Sequence, residues 1–262
     1  MRQRSIFNGD EDRSGYGQLG KGIGLLEALA AQGSPLSLGD LAERCDLPKA
    51  TAHRLITMLC DLKMARVTSD GAYGLGQRCL SLGSAYLANL DLRQEAGPIM
   101  KALVEEIDET AHLGILDGNK VVLIEKVEPD RSIRMVSRLG STSPLHATSI
   151  GKVLLAHCEE EYLQTFLTTG LEKLTANTIT DTTELRFALK RVQNTGYAVN
   201  DIEYEEGIRC VGAPVRDHEG AVIAGLSVSC PDFRTPRDRL LTLAPLVISA
   251  AQELSRRLGY QP

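Results

Sequence analysis

Three helical apolar patterns and a short hairpin fit within residues 18–76, and this crowding constrains the fold more than any other feature of the chain. Leu19, Ile23, Leu26 and Ala30 recur at helical spacing, which puts one stripe on a helix ending at Gly33 and Pro35. Ser37 and Asp40 have the S-x-x-D spacing of a helix cap, ahead of Leu38, Leu41, Ala42 and Cys45. Asp46 and Leu47 turn the chain. Pro48 suits the first position of a third helix, where its missing N–H leaves nothing unsatisfied. Ala52, Leu55, Ile56, Leu59 and Leu62 are its predicted buried face. Strand-like runs from Ala65 to Thr68 and from Ala72 to Leu75 flank Ser69, Asp70 and Gly71. A turn-linked helix pair followed by a hairpin predicts a winged helix-turn-helix.

The net charge of -5 over 262 residues hides an uneven distribution. Residues 1–76 hold nine Lys/Arg against nine Asp/Glu, so the acidity lies in the later part. Opposite the predicted buried face of the third helix are Ala50, His53, Arg54 and Thr57, with Lys49 and Thr51 in its first turn. From Pro48 to Arg66, Lys49, Arg54, Lys63 and Arg66 face Asp61 alone. Small, hydrogen-bonding and cationic, this surface suits the major groove, where Arg reads guanine bidentately and Ala meets a thymine methyl. The plain alternative is a solvated face on a helical bundle. The following wing favours DNA, and Tyr73 on that wing is expected to contact phosphate or the minor groove.

The remaining organisation is read as a mobile tail over residues 1–15, the DNA-binding domain over 16–76, a linker helix over 77–98 and an effector-binding domain over 99–262. Leu80, Leu87 and Leu90 form a linker stripe, and Pro98 should start a new helix or kink the old one. Strands are predicted over Thr110 to Leu116, Lys120 to Val127, Ile208 to Arg216 and Ala221 to Ser229, with helices over about 150 to 168, 182 to 195 and 237 to 258. This is an α+β domain with an antiparallel sheet. Six irregularly spaced cysteines, a polar N-terminal stretch and the lack of a membrane-length apolar run predict a cytoplasmic chain with no membrane partner.

The run Leu47-Pro48-Lys49-Ala50-Thr51-Ala52-His53-Arg54-Leu55, with Tyr73-Gly74-Leu75-Gly76 and Leu82-Gly83, resembles the winged-helix half of the IclR family of bacterial transcriptional regulators. Pro144-Leu145-His146-Ala147-Thr148, Gly151-Lys152, Glu206-Gly207-Ile208-Arg209-Cys210, Ala213-Pro214-Val215 and Leu258-Gly259-Tyr260 resemble that family's effector domain in the same order. The resemblance covers residues 18–260 and implies a GAF-like C-terminal domain that binds a small organic acid. Position 50 departs from it, since the family usually has Ser there. Runs such as Glu109-Thr110-Ala111-His112-Leu113-Gly114 and Ile223-Ala224-Gly225-Leu226-Ser227 are most similar to sugar-acid regulators of the ketodeoxygluconate type.

The residues themselves offer a place for such an acid. His146, Thr148 and Ser149 precede a helical run whose N-terminus attracts carboxylates. Ser227 and Ser229 lie two apart on a strand and share one face, with Cys210 on the neighbouring strand. The family resemblance implies ligand contacts at Ser149, Ile150, Asn200, Cys210, Ser227 and Ser229, with Asn200 where the family commonly has Asp. Met135 is read as an apolar wall. Each has a plainer role available: Ser149 as a cap, Cys210 as a small core residue, the serines as cross-strand partners.

The enzymatic alternative is a thiol hydrolase using Cys210, His146 and Asp201 as nucleophile, base and orienter. His53, His112, His146, His157 and His218 show no metal-ligand spacing, and Gly151-Lys152 lacks the Ser/Thr of a phosphate loop, so neither cofactor nor metal is expected. A single winged helix reads few base pairs. A homodimer or tetramer on double-stranded operator DNA is therefore expected, with half-sites about 34 Å apart or a multiple of that.

Overall fold

The computed structural model describes residues 17–88, 91–131 and 137–261, so the expected tail, Leu90 and Met135 lie outside the described residues. Contacts divide the chain into two units, with the boundary between Asn89 and Leu90. No helix among the described residues is long and apolar enough to cross a membrane.

In the first unit, helices α1 (Gly17–Gln32), α2 (Leu38–Arg44) and α3 (Lys49–Asp61) precede strands β1 (Ala65–Val67) and β2 (Tyr73–Leu75) and helix α4 (Gln77–Ala88). Ser37 caps α2 as its spacing predicts, accepting the Asp40 N–H at 3.2 Å. Pro48 is the residue just before α3 rather than its first turn. The core comprises Leu25, Leu29, Leu36, Leu41, Ala42, Ala52, Leu55, Ile56 and Ala65. Three predicted core positions fall elsewhere. Leu19 and Ile23 are exposed, because α1 turns Gly20, Gly22, Gly24, Leu25 and Leu29 inward. Small glycines carry no apolar signal, yet they let a neighbour approach the backbone, and the Cys45 thiol reaches the Gly24 carbonyl at 3.6 Å. Leu62, at the C-cap of α3, is also exposed.

Helix occupies the expected linker on both sides of residues 89–90, as α4 and as α5 (Asp91–Ile107), and α5 runs on past 98. Pro98 lies inside α5. Buried Leu92, Ala96, Ile99, Met100 and Leu103 on both sides of it outweigh the one lost backbone hydrogen bond.

Among the described residues, the second unit is built on six antiparallel strands in the order β5-β4-β3-β8-β7-β6. These are β3 (Thr110–Asp117), β4 (Lys120–Val127), β5 (Thr142–Pro144), β6 (Ala198–Asp201), β7 (Ile208–Arg216) and β8 (Val222–Pro231). The expected helix over 150–168 breaks at Cys158 into α6 (Ser149–Ala156) and α7 (Glu160–Thr168), followed by α8 (Thr182–Thr195) and α9 (Arg237–Arg257). Strand alternation divides the central sheet into two unlike faces. Ala111, Leu113, Val211, Ala213, Val215, Ala224, Leu226 and Val228 form an apolar face packed with residues of α5 and α9. The opposite face carries His112, Gly114, Cys210, Gly212, Gly225, Ser227 and Ser229, and α6 lies over it.

Candidate functional site

In the first unit, Lys49, Ala50, His53, Arg54 and Thr57 are exposed along α3, with Thr51 half-buried among them. The predicted polar face is therefore open. The Thr57 hydroxyl donates to the His53 carbonyl at 2.8 Å, which fixes its orientation on the helix. Tyr73 is placed differently from its neighbours. Its backbone pairs both ways with Leu36 (2.9 and 2.8 Å), and its ring packs against the helical core. The wing is pinned behind it at Gly76, where any Cβ would lie 2.2 Å from the Lys63 carbonyl oxygen.

In the second unit, six of the seven predicted effector residues converge on the polar face of the sheet. Register places Asn200 opposite Cys210 and Cys210 opposite Ser229, so the three form one row across β6, β7 and β8. The next row holds Gly212, Ser227 and His112. Asn200 Nδ2 lies 3.8 Å from Cys210 Sγ, and that sulfur lies 3.2 Å from Ser229 Oγ. All of these side chains are buried.

Glycines set how closely α6 approaches this wall. A Cβ on Gly225 would meet Ile150 Cγ2 at 2.9 Å, and one on Gly212 would meet Ser149 Oγ at 3.2 Å. Ser149 and Ile150 are thereby held in the first turn of α6, directly over the sheet. Thr148 caps that turn, accepting the Gly151 N–H at 3.1 Å while donating to the Pro144 carbonyl at 2.8 Å. Ser149 is thus not the cap.

Three residues of this wall or its border, His112, Lys152 and Glu203, escaped the sequence reading. His112 Nδ1 lies 3.1 Å from Ser229 Oγ and Nε2 lies 2.7 Å from Ser137 Oγ. Burial lowers its pKa to about 4, so the ring is neutral at pH 7. Lys152 and Glu203 form a buried ion pair at the wall's edge, with Nζ 2.6 Å from both carboxylate oxygens. A polar residue inside the otherwise apolar strand pattern at His112 was the available signal. Neither Lys152 nor Glu203 offered one.

The hydrolase triad is not assembled. The Cys210 thiol, pushed up to about 11 by burial, contacts Ser229 and Asn200. His146 Nε2 lies 2.9 Å from the Glu172 carbonyl, and Asp201 is bound to the Arg209 guanidinium at 2.6 Å. A thiol at that pKa is protonated at neutral pH, and among the described residues its side-chain partners are Ser229 and Asn200 rather than a histidine or carboxylate.

An exposed cationic helix α3 beside a hairpin wing, carried on the same chain as a sheet domain with a buried polar wall, defines a helix-turn-helix DNA-binding regulator. Residues 18–68 match the IclR helix-turn-helix domain and residues 84–256 match the family described as the bacterial transcriptional regulator IclR C-terminal. The chain belongs to the IclR family of bacterial transcriptional regulators. It is 34% identical to the HTH-type transcriptional repressor AllR of Escherichia coli, over 94% of this chain and 92% of that protein. It is 36% identical to the E. coli HTH-type transcriptional regulator KdgR, over 92% of each. A crystal structure of an IclR homologue from Microbacterium hydrocarbonoxydans in complex with 4-hydroxybenzoate is similar with a TM-score of 0.82 and 27% identity, covering 92% of this chain and 98% of that one.

Proposed function

We propose that this chain is a non-enzymatic repressor that binds operator DNA as a dimer or tetramer through α3 and is released by a small organic acid held on the polar wall of its second unit. Lys49, Ala50, Thr51, His53, Arg54 and Thr57 form the reading surface, and Tyr73 supports the wing. Ser149, Ile150, Asn200, Cys210, Ser227 and Ser229 hold the acid. The observation that carries the reading is the convergence of these six residues from four elements onto one buried polar face, on a chain that also presents an open cationic helix. A repressor among the relatives and an aromatic acid bound to a structural neighbour support it. Similarity to KdgR fits the sugar-acid lean of the sequence motifs. The exposed apolar side chains Leu19 and Ile23 on α1 and Leu80 on α4 are the surfaces assigned to self-association.

Ligand binding changes DNA affinity only through its unequal affinity for two arrangements of the protein. Gel-shift titration on the duplex upstream of its own gene tests the reading. A specific complex that weakens steeply as salt rises supports it, because neutralised phosphates release counterions. A complex equally strong on random duplex contradicts it.

A further inference from the structure

The charges around the polar wall identify the kind of acid it admits, an argument that rests on the organic-acid reading above. Lys152 projects from α6, and its ammonium is matched by the Glu203 carboxylate on both oxygens. Glu203 is anchored around this contact. Its N–H donates to Asn200 Oδ1 at 2.7 Å, its carbonyl accepts the Thr178 hydroxyl at 2.7 Å, and its carboxylate accepts the Asp201 N–H at 3.3 Å. Asn200 therefore joins the ion pair to Cys210 and the ligand-facing row. Both members of the pair are buried, 3% and 7% exposed.

Lys126, on the His112 row, is matched by Glu128 at 3.2 Å. His112 is neutral and Cys210 protonated at pH 7. Arg191 and Arg237 are exposed and line a cleft of about 570 Å³ with Lys152, Glu184, Asp201 and Glu203, where Arg237 lies 3.5 Å from the Asp201 carboxylate. Among the described residues, Lys152 and Lys126 at the wall are thus each already matched by a carboxylate. One carboxylate can be met by buried neutral donors and the first turn of α6. A second would be buried without a counter-charge, next to the Glu203 carboxylate.

We infer that the wall accepts acids bearing a single carboxylate, and that Glu203 sets this specificity by neutralising Lys152, which would otherwise receive a second carboxylate. Discrimination of this kind comes from a built-in repulsion, not from added contacts to the favoured ligand.

Calorimetry and thermal shift on the full chain test this with three matched pairs, gluconate and glucarate, 4-hydroxybenzoate and terephthalate, pyruvate and mesoxalate, each differing by a second carboxylate. The wild type is expected to bind the monoacid of a responding pair at least about tenfold more tightly than the diacid. Glu203→Gln is expected to bring the diacid within about threefold of the monoacid, or past it, by freeing Lys152. The double variant Lys152→Met with Glu203→Leu removes both charges and should still reject the diacid, which keeps the assignment testable if the single variant does not fold. Equal or tighter diacid binding by the wild type overturns the inference. So does a cooperatively melting Glu203→Gln that rejects the diacid as before, or a double variant that accepts it. Silence from all six acids strikes the organic-acid reading itself and removes this assignment with it.

Discussion

Cys210 on β7 and Ser229 on β8 face each other across the sheet with Sγ and Oγ 3.2 Å apart, and the same Oγ lies 3.1 Å from His112 Nδ1. Three strands thereby share one buried hydroxyl. Losing that hydroxyl should affect ligand response and leave the first unit untouched.

Ser229→Ala is expected to abolish the acid's effect on DNA binding while operator affinity without acid stays at the wild-type value. It also leaves a buried His112 nitrogen short of a partner, a loss of about 1 to 3 kcal/mol in stability. Gel shift with and without acid, alongside a melting curve, separates the two effects. Normal acid response in the variant removes Ser229 from the site.

Titration of His112 should make the protein lose stability in mild acid. Its folded pKa is lowered from 6.5 to about 4, so the unfolded chain takes up the proton first as pH falls. The associated stability is fully present above about pH 6.5 and drains between there and about pH 4, a total of roughly 3 kcal/mol. Denaturant melts of wild type and His112→Gln across this range should show a shallower pH dependence in the variant. Identical slopes would contradict a neutral buried imidazole.

The Cys210 thiol should resist alkylation. Burial raises its pKa from 9.0 to about 11, so at about pH 8 the reactive thiolate is scarce. The folded protein treated with iodoacetamide should retain unmodified Cys210 by peptide mass spectrometry, and urea should expose it. The stability tied to this protonated form is present below about pH 9 and is lost as pH rises through about 11. Rapid labelling of Cys210 in the native state would contradict its position.

Arg54→Ala should weaken operator binding by about 1 to 3 kcal/mol and relax discrimination at one base pair. Lys49→Ala, if that ammonium lies on a phosphate, should weaken all duplexes alike and reduce the salt slope by about one. Competition gel shifts with point-mutated operators distinguish the two, and unchanged discrimination in Arg54→Ala refutes its role as a base reader.

Sequence pattern made visible what is local. The Ser37 cap, the exposed residues of α3 and the long hairpins β3–β4 and β7–β8 depend on neighbours a few positions away. Edge strands β5 and β6 span only three and four residues, too few for alternation to stand out. The orientation of α1 was missed because glycines, not leucines, set its contact face. Lys152 and Glu203 look like ordinary surface charges in a helix and a loop, since their meeting depends on 51 residues of intervening fold. The convergence of Ser149, Asn200, Cys210, Ser227 and Ser229 came from family resemblance, while strand parity independently supports only the serine pair.

The central claim is that DNA on the first unit and an acid on the second act on one equilibrium, and linkage measures this directly. Binding of a responding acid should be measured by calorimetry with and without saturating operator duplex, and operator binding with and without saturating acid. Coupling requires the two affinities to change by the same factor, at least about fivefold. Operator affinity unchanged at saturating acid would contradict it.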